Sequence, residues 1–206
     1  MGHVILLGDS IFDNGAYVSG PDVVAQLSDE LPADWRASLL AVDGAVTTSV
    51  LHQLDQIPQD ATDLVLSVGG NDALAHIGLL DRRARTGGEA LSWFAAATAE
   101  FAARYHSLLS RMAAARREDQ RVVVCTIYNG NLGGDMQRAA TAAISMFNDV
   151  ISRAAREHGW PVIELRDLFT DGADYANPIE PSVRGGAKLA RAIAQQVLGA
   201  MATRGV

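Results

Sequence analysis

Five short apolar runs, separated by segments of helical periodicity, leave this chain few folds to choose from. The first run is Val4-Ile5-Leu6-Leu7, closed by Gly8; the others are Trp35 to Val42, Asp63 to Val68, Arg121 to Ile127 and Pro161 to Leu165. Between the first two, Ser19-Gly20-Pro21-Asp22 reads as a helix start, with Pro21 in the first turn and an end near Leu31. Thr47 or Thr48 can cap a short helix carrying Val50, Leu51 and Leu54 on one face. A further short helix is expected from Ala73 to Gly78, then a polar loop from Asp81 to Gly88. The spacing of Phe94, Phe101, Tyr105, Leu108 and Met112 predicts a long helix over Leu91–Arg117 with these residues against the sheet. Met136–His158 presents Ala140, Ile144, Phe147, Ile151 and Ala154 inward, and a last helix presents Val183, Ala190, Ile193 and Val197. Strands alternating with helices in this way make a parallel sheet covered on both faces, with right-handed crossovers. The expected fold is a flavodoxin-like three-layer α/β/α sandwich with a five-stranded parallel sheet in the order 2-1-3-4-5.

At 206 residues the chain reads as one domain, 1–206, long enough to bury a sizeable core. Apolar residues make up 49% of it, yet no apolar run is long enough to cross a bilayer. Acids outnumber bases 24 to 17, a net charge of -7, which argues against a nucleic-acid groove and against attraction to an anionic membrane. Cys125, the sole cysteine, lies in an apolar strand and reads as an inert buried thiol. The first strand begins almost at Met1, with no secretory leader pattern, so a cytoplasmic protein is expected. The five histidines are scattered without metal-ligand spacing, and nothing calls for a cofactor.

In an open parallel sheet, chemistry gathers beyond the carboxyl ends of the strands. Ser10 follows strand one there, Gly44 follows strand two, Asn71 follows strand three, and an irregular loop, Arg166 to Pro181, follows strand five. This set suits acyl transfer. A serine oxygen attacks a carbonyl, and the oxyanion is met by the N–H groups of Ser10 and Gly44 and the amide of Asn71. Glycine and Gly-Asn-Asp also serve plain turns, so each residue has a purely structural reading beside the chemical one.

Gly8-Asp9-Ser10-Ile11 resembles the nucleophile block of the SGNH (GDSL-type) hydrolase superfamily. Val42-Asp43-Gly44-Ala45 resembles its second block and Gly69-Gly70-Asn71-Asp72 its third, in the same order. The resemblance implies a flavodoxin-like fold and hydrolysis of a small-molecule carboxylic ester, thioester or acetylated sugar. Ser10 is then the nucleophile, and Gly44 and Asn71 are oxyanion donors. The fourth block departs from the pattern: where the superfamily has Asp-x-x-His-Pro, this chain has Asn177-Pro178-Ile179-Glu180-Pro181. Of the histidines, His3 starts strand one, roughly 20 Å from Ser10. His52, His106 and His158 point elsewhere, and only His76 begins on the correct side. Glu180 is the better substitute base, with Asn177 donating a hydrogen bond to orient it and Asp167, Asp171 and Asp174 as neighbours. An ordinary glutamate, with a pKa of about 4.3, is a weak base at neutral pH unless burial raises it. Glu180 also has a structural reading, a carboxylate at a helix N-terminus. Two functions follow: a serine esterase with an altered base, or an impaired relative that binds an acylated ligand without efficient turnover.

Overall fold

The computed structural model describes residues 1–202. Its strands are β1 (Gly2–Gly8), β2 (Trp35–Leu39), β3 (Asp63–Ser67), β4 (Arg121–Cys125) and β5 (Val162–Ile163). Its helices are α1 (Val23–Glu30), α2 (Val50–Leu54), α3 (Gly70–Leu74), α4 (Gly87–Ala115), α5 (Gly134–Glu157), α6 (Leu165–Leu168) and α7 (Val183–Ala202). All strands are parallel, in the order β2-β1-β3-β4-β5. The register pairs Gly2 with Trp35, Val4 with Asp63, Asp63 with Arg121 and Val124 with Val162.

Side chains alternate across a pleated strand, and the two cores follow that period. Ile5, Leu7, Leu64, Leu66 and Val124 pack with α2, α4 and α5 on one face. Val4, Leu6, Val65, Val123 and Cys125 pack with α1, α6 and α7 on the other. The expected three layers and strand order are therefore observed. Burial of each large apolar side chain, such as Phe101 and Ile193, stabilises this stack by about 1.5–3 kcal/mol. Among the described residues, no helix is long and apolar enough to cross a membrane.

Element ends differ from expectation where a cap intervenes. Helix α1 starts at Val23, because the Asp22 side chain accepts the Ala25 N–H at 2.9 Å; Pro21 stays outside. Helix α4 starts at Gly87 rather than Leu91, because Thr86 Oγ1 accepts the Glu89 N–H at 3.1 Å. Neither Thr47 nor Thr48 caps α2; Ser49 holds the N-cap position without a side-chain capping bond, its Oγ accepting the Val46 N–H at 3.3 Å instead. Strand β5 keeps only two residues in the ladder, since Glu164 caps α6 and turns the chain away. Phe94 and Ile144 are half-buried and line a cavity instead of the core.

Candidate active site

Ser10 stands two residues beyond Gly8, where the chain turns at the end of β1. That turn needs glycine: Gly8 has φ +136°, and a Cβ there would lie 1.7 Å from the Ser67 carbonyl oxygen. Gln53 clamps it, accepting the Gly8 N–H and donating to the Gly8 carbonyl, both at 2.8 Å. Asp9 then folds the loop back: its carboxylate accepts the Ile11 N–H at 3.3 Å, and its carbonyl accepts the N–H groups of Phe12 and Asp13. The Ser10 side chain is thereby held in a buried position, with Oγ donating to Glu180 Oε1 at 3.1 Å.

Glu180 arrives from the loop between α6 and α7. Asn177 fixes it through the backbone, its Oδ1 accepting the N–H of Ile179 at 2.9 Å and of Glu180 at 3.0 Å. This corrects the expectation that Asn177 donates to the carboxylate. The Ala176 N–H bonds the Glu180 carbonyl at 2.8 Å, the Tyr128 hydroxyl donates to the Ile179 carbonyl, and the Asn131 N–H donates to the Pro178 carbonyl at 2.8 Å. The capping bond of α7 falls to Ser182, whose Oγ accepts the Gly185 N–H at 3.2 Å. The carboxylate of Glu180 is thus turned to Ser10 and not to the helix N-terminus. Glu180 is only 5% exposed, and its Oε2 has no partner among the described residues. Burial pushes its pKa above the ordinary range, the Ser10 hydrogen bond opposes this, and Asp43 adds to the rise. The loop acids serve elsewhere: Asp171 accepts the Ala173 N–H and pairs with Arg184, and Asp174 pairs with Lys188 at 2.6 Å.

The turn carrying Gly44 is tied to both neighbouring loops. The Val42 N–H donates to the Gly8 carbonyl at 3.1 Å, and the Asp43 N–H donates to Asp13 Oδ2 at 2.9 Å. Asn71 Nδ2 donates to the Ala45 carbonyl at 2.9 Å, which uses one of its two hydrogens. Gly44 sits at φ +75° and is exposed. Among the described residues, neither the Ser10 nor the Gly44 backbone N–H has an acceptor. Three polarised hydrogens are therefore unspent around this turn. Thr47 bonds Asp72 Oδ2 through both its N–H, at 2.8 Å, and its hydroxyl, at 2.9 Å, which locks the turn to α3.

Behind Ser10 opens a cavity of about 100 Å³, walled mainly by Leu74, Ile77, Phe94, Ile127, Ile144 and Phe147. Asp9, Ser10, Asn71 and Glu180 supply polar groups to its wall. His76 also lines it, its ring 6.4 Å from that of Phe147 and without a bond to Ser10 or Glu180. His3 is held by Asp60 and Ser38, His106 pairs with Glu157, and His158 stacks on Trp160. Burial pushes the Asp9 carboxyl up to about 7, partly offset by the Ile11 N–H and reinforced by the charges of Glu180, Asp72 and Asp43. Sequence reading missed Asp9 and Gln53 as parts of the site. The signal for Gln53 was present: Val50, Gln53 and Leu54 share the spacing of one buried helix face.

The model of the GDSL-like lipase/acylhydrolase family matches residues 6–187. No curated protein sequence matches significantly. Among solved structures, an extracellular lipase from Streptomyces rimosus superposes with a TM-score of 0.72 at 20% identity, over 95% of this chain and 99% of that one. A phospholipase A1 from Streptomyces albidoflavus NA297 gives 0.69 at 19% identity, over 96% and 98% of the two chains. A carbohydrate acetylesterase from Sinorhizobium meliloti gives 0.68 at 13% identity, over 97% and 99%. These likenesses are ones of fold.

Proposed function

The chain belongs to the GDSL-like lipase/acylhydrolase family, and on that premise we propose that it hydrolyses small carboxylic esters with Ser10 as nucleophile and Glu180 as general base. The supporting observation is the buried bond from Ser10 Oγ to Glu180 Oε1, 3.1 Å long, at the wall of an apolar cavity. As Oγ attacks the ester carbonyl, its proton passes to Glu180. The oxyanion that forms is met by the N–H groups of Ser10 and Gly44 and by the second amide hydrogen of Asn71. Protonated Glu180 then gives its proton to the departing alkoxide, leaving an acyl-Ser10. A water, deprotonated by Glu180, attacks the acyl carbon, and the collapsing intermediate returns the proton to Ser10 as the acid leaves. Burial suits Glu180 to this work, because a carboxylate with a raised pKa is a stronger base.

The test is the pH–rate profile for hydrolysis of 4-nitrophenyl butanoate, with Ser10→Ala as the blank. A Ser10-dependent rate should rise with pH through the elevated pKa of Glu180. Glu180→Gln keeps the shape and the acceptor but not the basicity, and should lose about 10²–10⁴-fold in kcat. A Glu180→Gln enzyme with undiminished kcat would remove the base assignment. A rate no higher than the blank at every pH would favour the impaired, ligand-binding reading.

A further inference from the structure

Glu180 is buried, but the chain that leads to it is not. Ala176, Asn177, Pro178 and Ile179 are all exposed, so hydrogen bonds and not core packing decide where the next residue stands. The peptide joining Ile179 to Glu180 is planar, and both of its polar ends are taken. Its N–H, on Glu180, donates to Asn177 Oδ1 at 3.0 Å, and its carbonyl, on Ile179, accepts the Tyr128 hydroxyl. The peptide that follows is held by the Ala176 N–H, which donates to the Glu180 carbonyl at 2.8 Å. With the planes on either side fixed, so is the direction in which the Glu180 side chain leaves the backbone. Asn177 and Ala176 belong to the same loop as Glu180. Tyr128 belongs to the loop after β4, and its hydroxyl ties this peptide to the sheet whose β1 leads to Ser10.

The ring of Tyr128 is held as firmly as its hydroxyl. It stacks on Phe169 with centroids 4.8 Å apart and packs against Tyr175 at 5.7 Å, while Phe169 and Tyr175 meet at 5.6 Å. Phe169 and Tyr175 both stand between α6 and Glu180, so the three rings close one cluster at the root of that loop. Burial and the charges of Glu180 and Asp9 push the phenol above its ordinary range, so it remains a donor wherever Glu180 titrates.

We propose that Tyr128 is a positioning residue for the base: its hydroxyl, aimed by the ring cluster, sets the peptide from which Glu180 reaches Ser10 Oγ. The inference rests on the reading of Glu180 as that base. Tyr128 makes its bond to a backbone carbonyl and the carboxylate takes its own from Ser10, so Tyr128 acts through Glu180. It also lines the cavity, and the experiment separates positioning from contact with substrate.

The experiment is a double-mutant cycle of Tyr128→Phe and Glu180→Gln on 4-nitrophenyl butanoate. Tyr128→Phe keeps the ring cluster and loses the bond to Ile179. It should lower kcat on the order of tenfold with KM little changed. In the Glu180→Gln background the same substitution should cost nothing further, because a residue that only aims a base is silent once the base is gone. A second probe, diethyl 4-nitrophenyl phosphate, reacts with Ser10 once: the Oγ–P bond forms, 4-nitrophenolate leaves, and the serine proton passes to Glu180. Its labelling rate should show the same loss and the same silence. An equal loss in both backgrounds, or a raised KM with kcat intact, overturns the proposal and gives Tyr128 to substrate contact or to the fold. A Tyr128→Phe enzyme as fast as the wild type, beside an impaired Glu180→Gln, overturns the positioning role and leaves the base. Undiminished Glu180→Gln removes the base and the proposal with it. Labelling of Ser10 that depends on Glu180 and Tyr128 in a chain without ester turnover sinks the esterase reading and keeps the positioning role.

Discussion

At the scale of single residues, the pH dependence expected of the proposed hydrolysis turns on Asp9, the acid beside Ser10. Asp9 is 7% exposed and burial lifts its pKa from 3.8 to about 7. Asp9 precedes Ser10 and lines the same cavity, so under the proposed mechanism its ionisation adds negative charge to the site where an oxyanion would develop, which opposes the reaction. The rate should therefore climb as Glu180 ionises and fall again as Asp9 ionises near pH 7, a bell whose alkaline limb is absent in Asp9→Asn. Stability has a matching sign. Between about pH 4 and pH 7 the folded chain holds the Asp9 proton and the unfolded chain has released it, so stability falls as pH rises. A rise of about three pKa units corresponds to roughly 4 kcal/mol, fully lost above pH 7. Asp9→Asn keeps an oxygen for the Ile11 N–H and carries no charge. It should outlast the wild type in denaturant at pH 8, with the advantage shrinking towards pH 5. Curves that differ equally at both pH values would exclude Asp9 as the titrating group.

At the scale of elements, the loop between α6 and α7 replaces a side-chain contact with a backbone one. Asn177 Oδ1 takes two N–H groups and so dictates where Glu180 emerges. Asn177→Ala should lose on the order of tenfold in kcat with little change in KM, since two hydrogen bonds that aim the proposed base are lost. Asn177→Asp keeps the acceptor and should recover most of the loss; failure to recover would return the role to the Asn177 amide hydrogens. This loop also marks how far the sequence could be read. The alternation of apolar runs and helical periods pointed to a parallel sheet that the order 2-1-3-4-5 fits, Ser10 and Asn71 stood out by their places after β1 and β3, and Glu180 was singled out through the resemblance of its block to the superfamily pattern. The bond from Ser10 to Glu180 spans 170 positions, and no local periodicity encodes such a contact. Nor does local pattern reveal that Thr47 abandons the helix start for Asp72, because that choice depends on a partner 25 positions away. The start of α4 was missed although Thr86-Gly87-Gly88-Glu89 has the spacing of a capping box, because its two glycines look like a loop.

At the scale of the molecule, a net charge of -7 is not spread evenly in its effects. Asp9 and Glu180 line the cavity, and Asp43 and Asp13 are bonded together beside it, with the Tyr17 hydroxyl donating to Asp43 at 2.7 Å. Among the described residues, the charged groups that most shift Asp9 and Glu180 are all acidic: Glu180, Asp72 and Asp43 for Asp9, and Asp43 for Glu180. Opposed charges elsewhere are paired in place, as Arg121 is with Asp63 and Lys188 with Asp174. Under the proposed function, a carboxylate entering this site would meet repulsion from the rim, and a carboxylate product would be driven out by the same field. An ester with an anionic tail, such as 4-nitrophenyl hemisuccinate, should therefore have a lower kcat/KM than neutral 4-nitrophenyl pentanoate of similar length. The gap should narrow as salt rises from about 0.01 M to about 1 M, where the screening length falls from roughly 30 Å to 3 Å. Asp43→Asn should narrow it at low salt without added ions, because it removes a rim charge and leaves the cavity wall intact. A gap that neither salt nor Asp43→Asn changes would trace the discrimination to the apolar wall, where a charged tail is excluded by desolvation and not by the field.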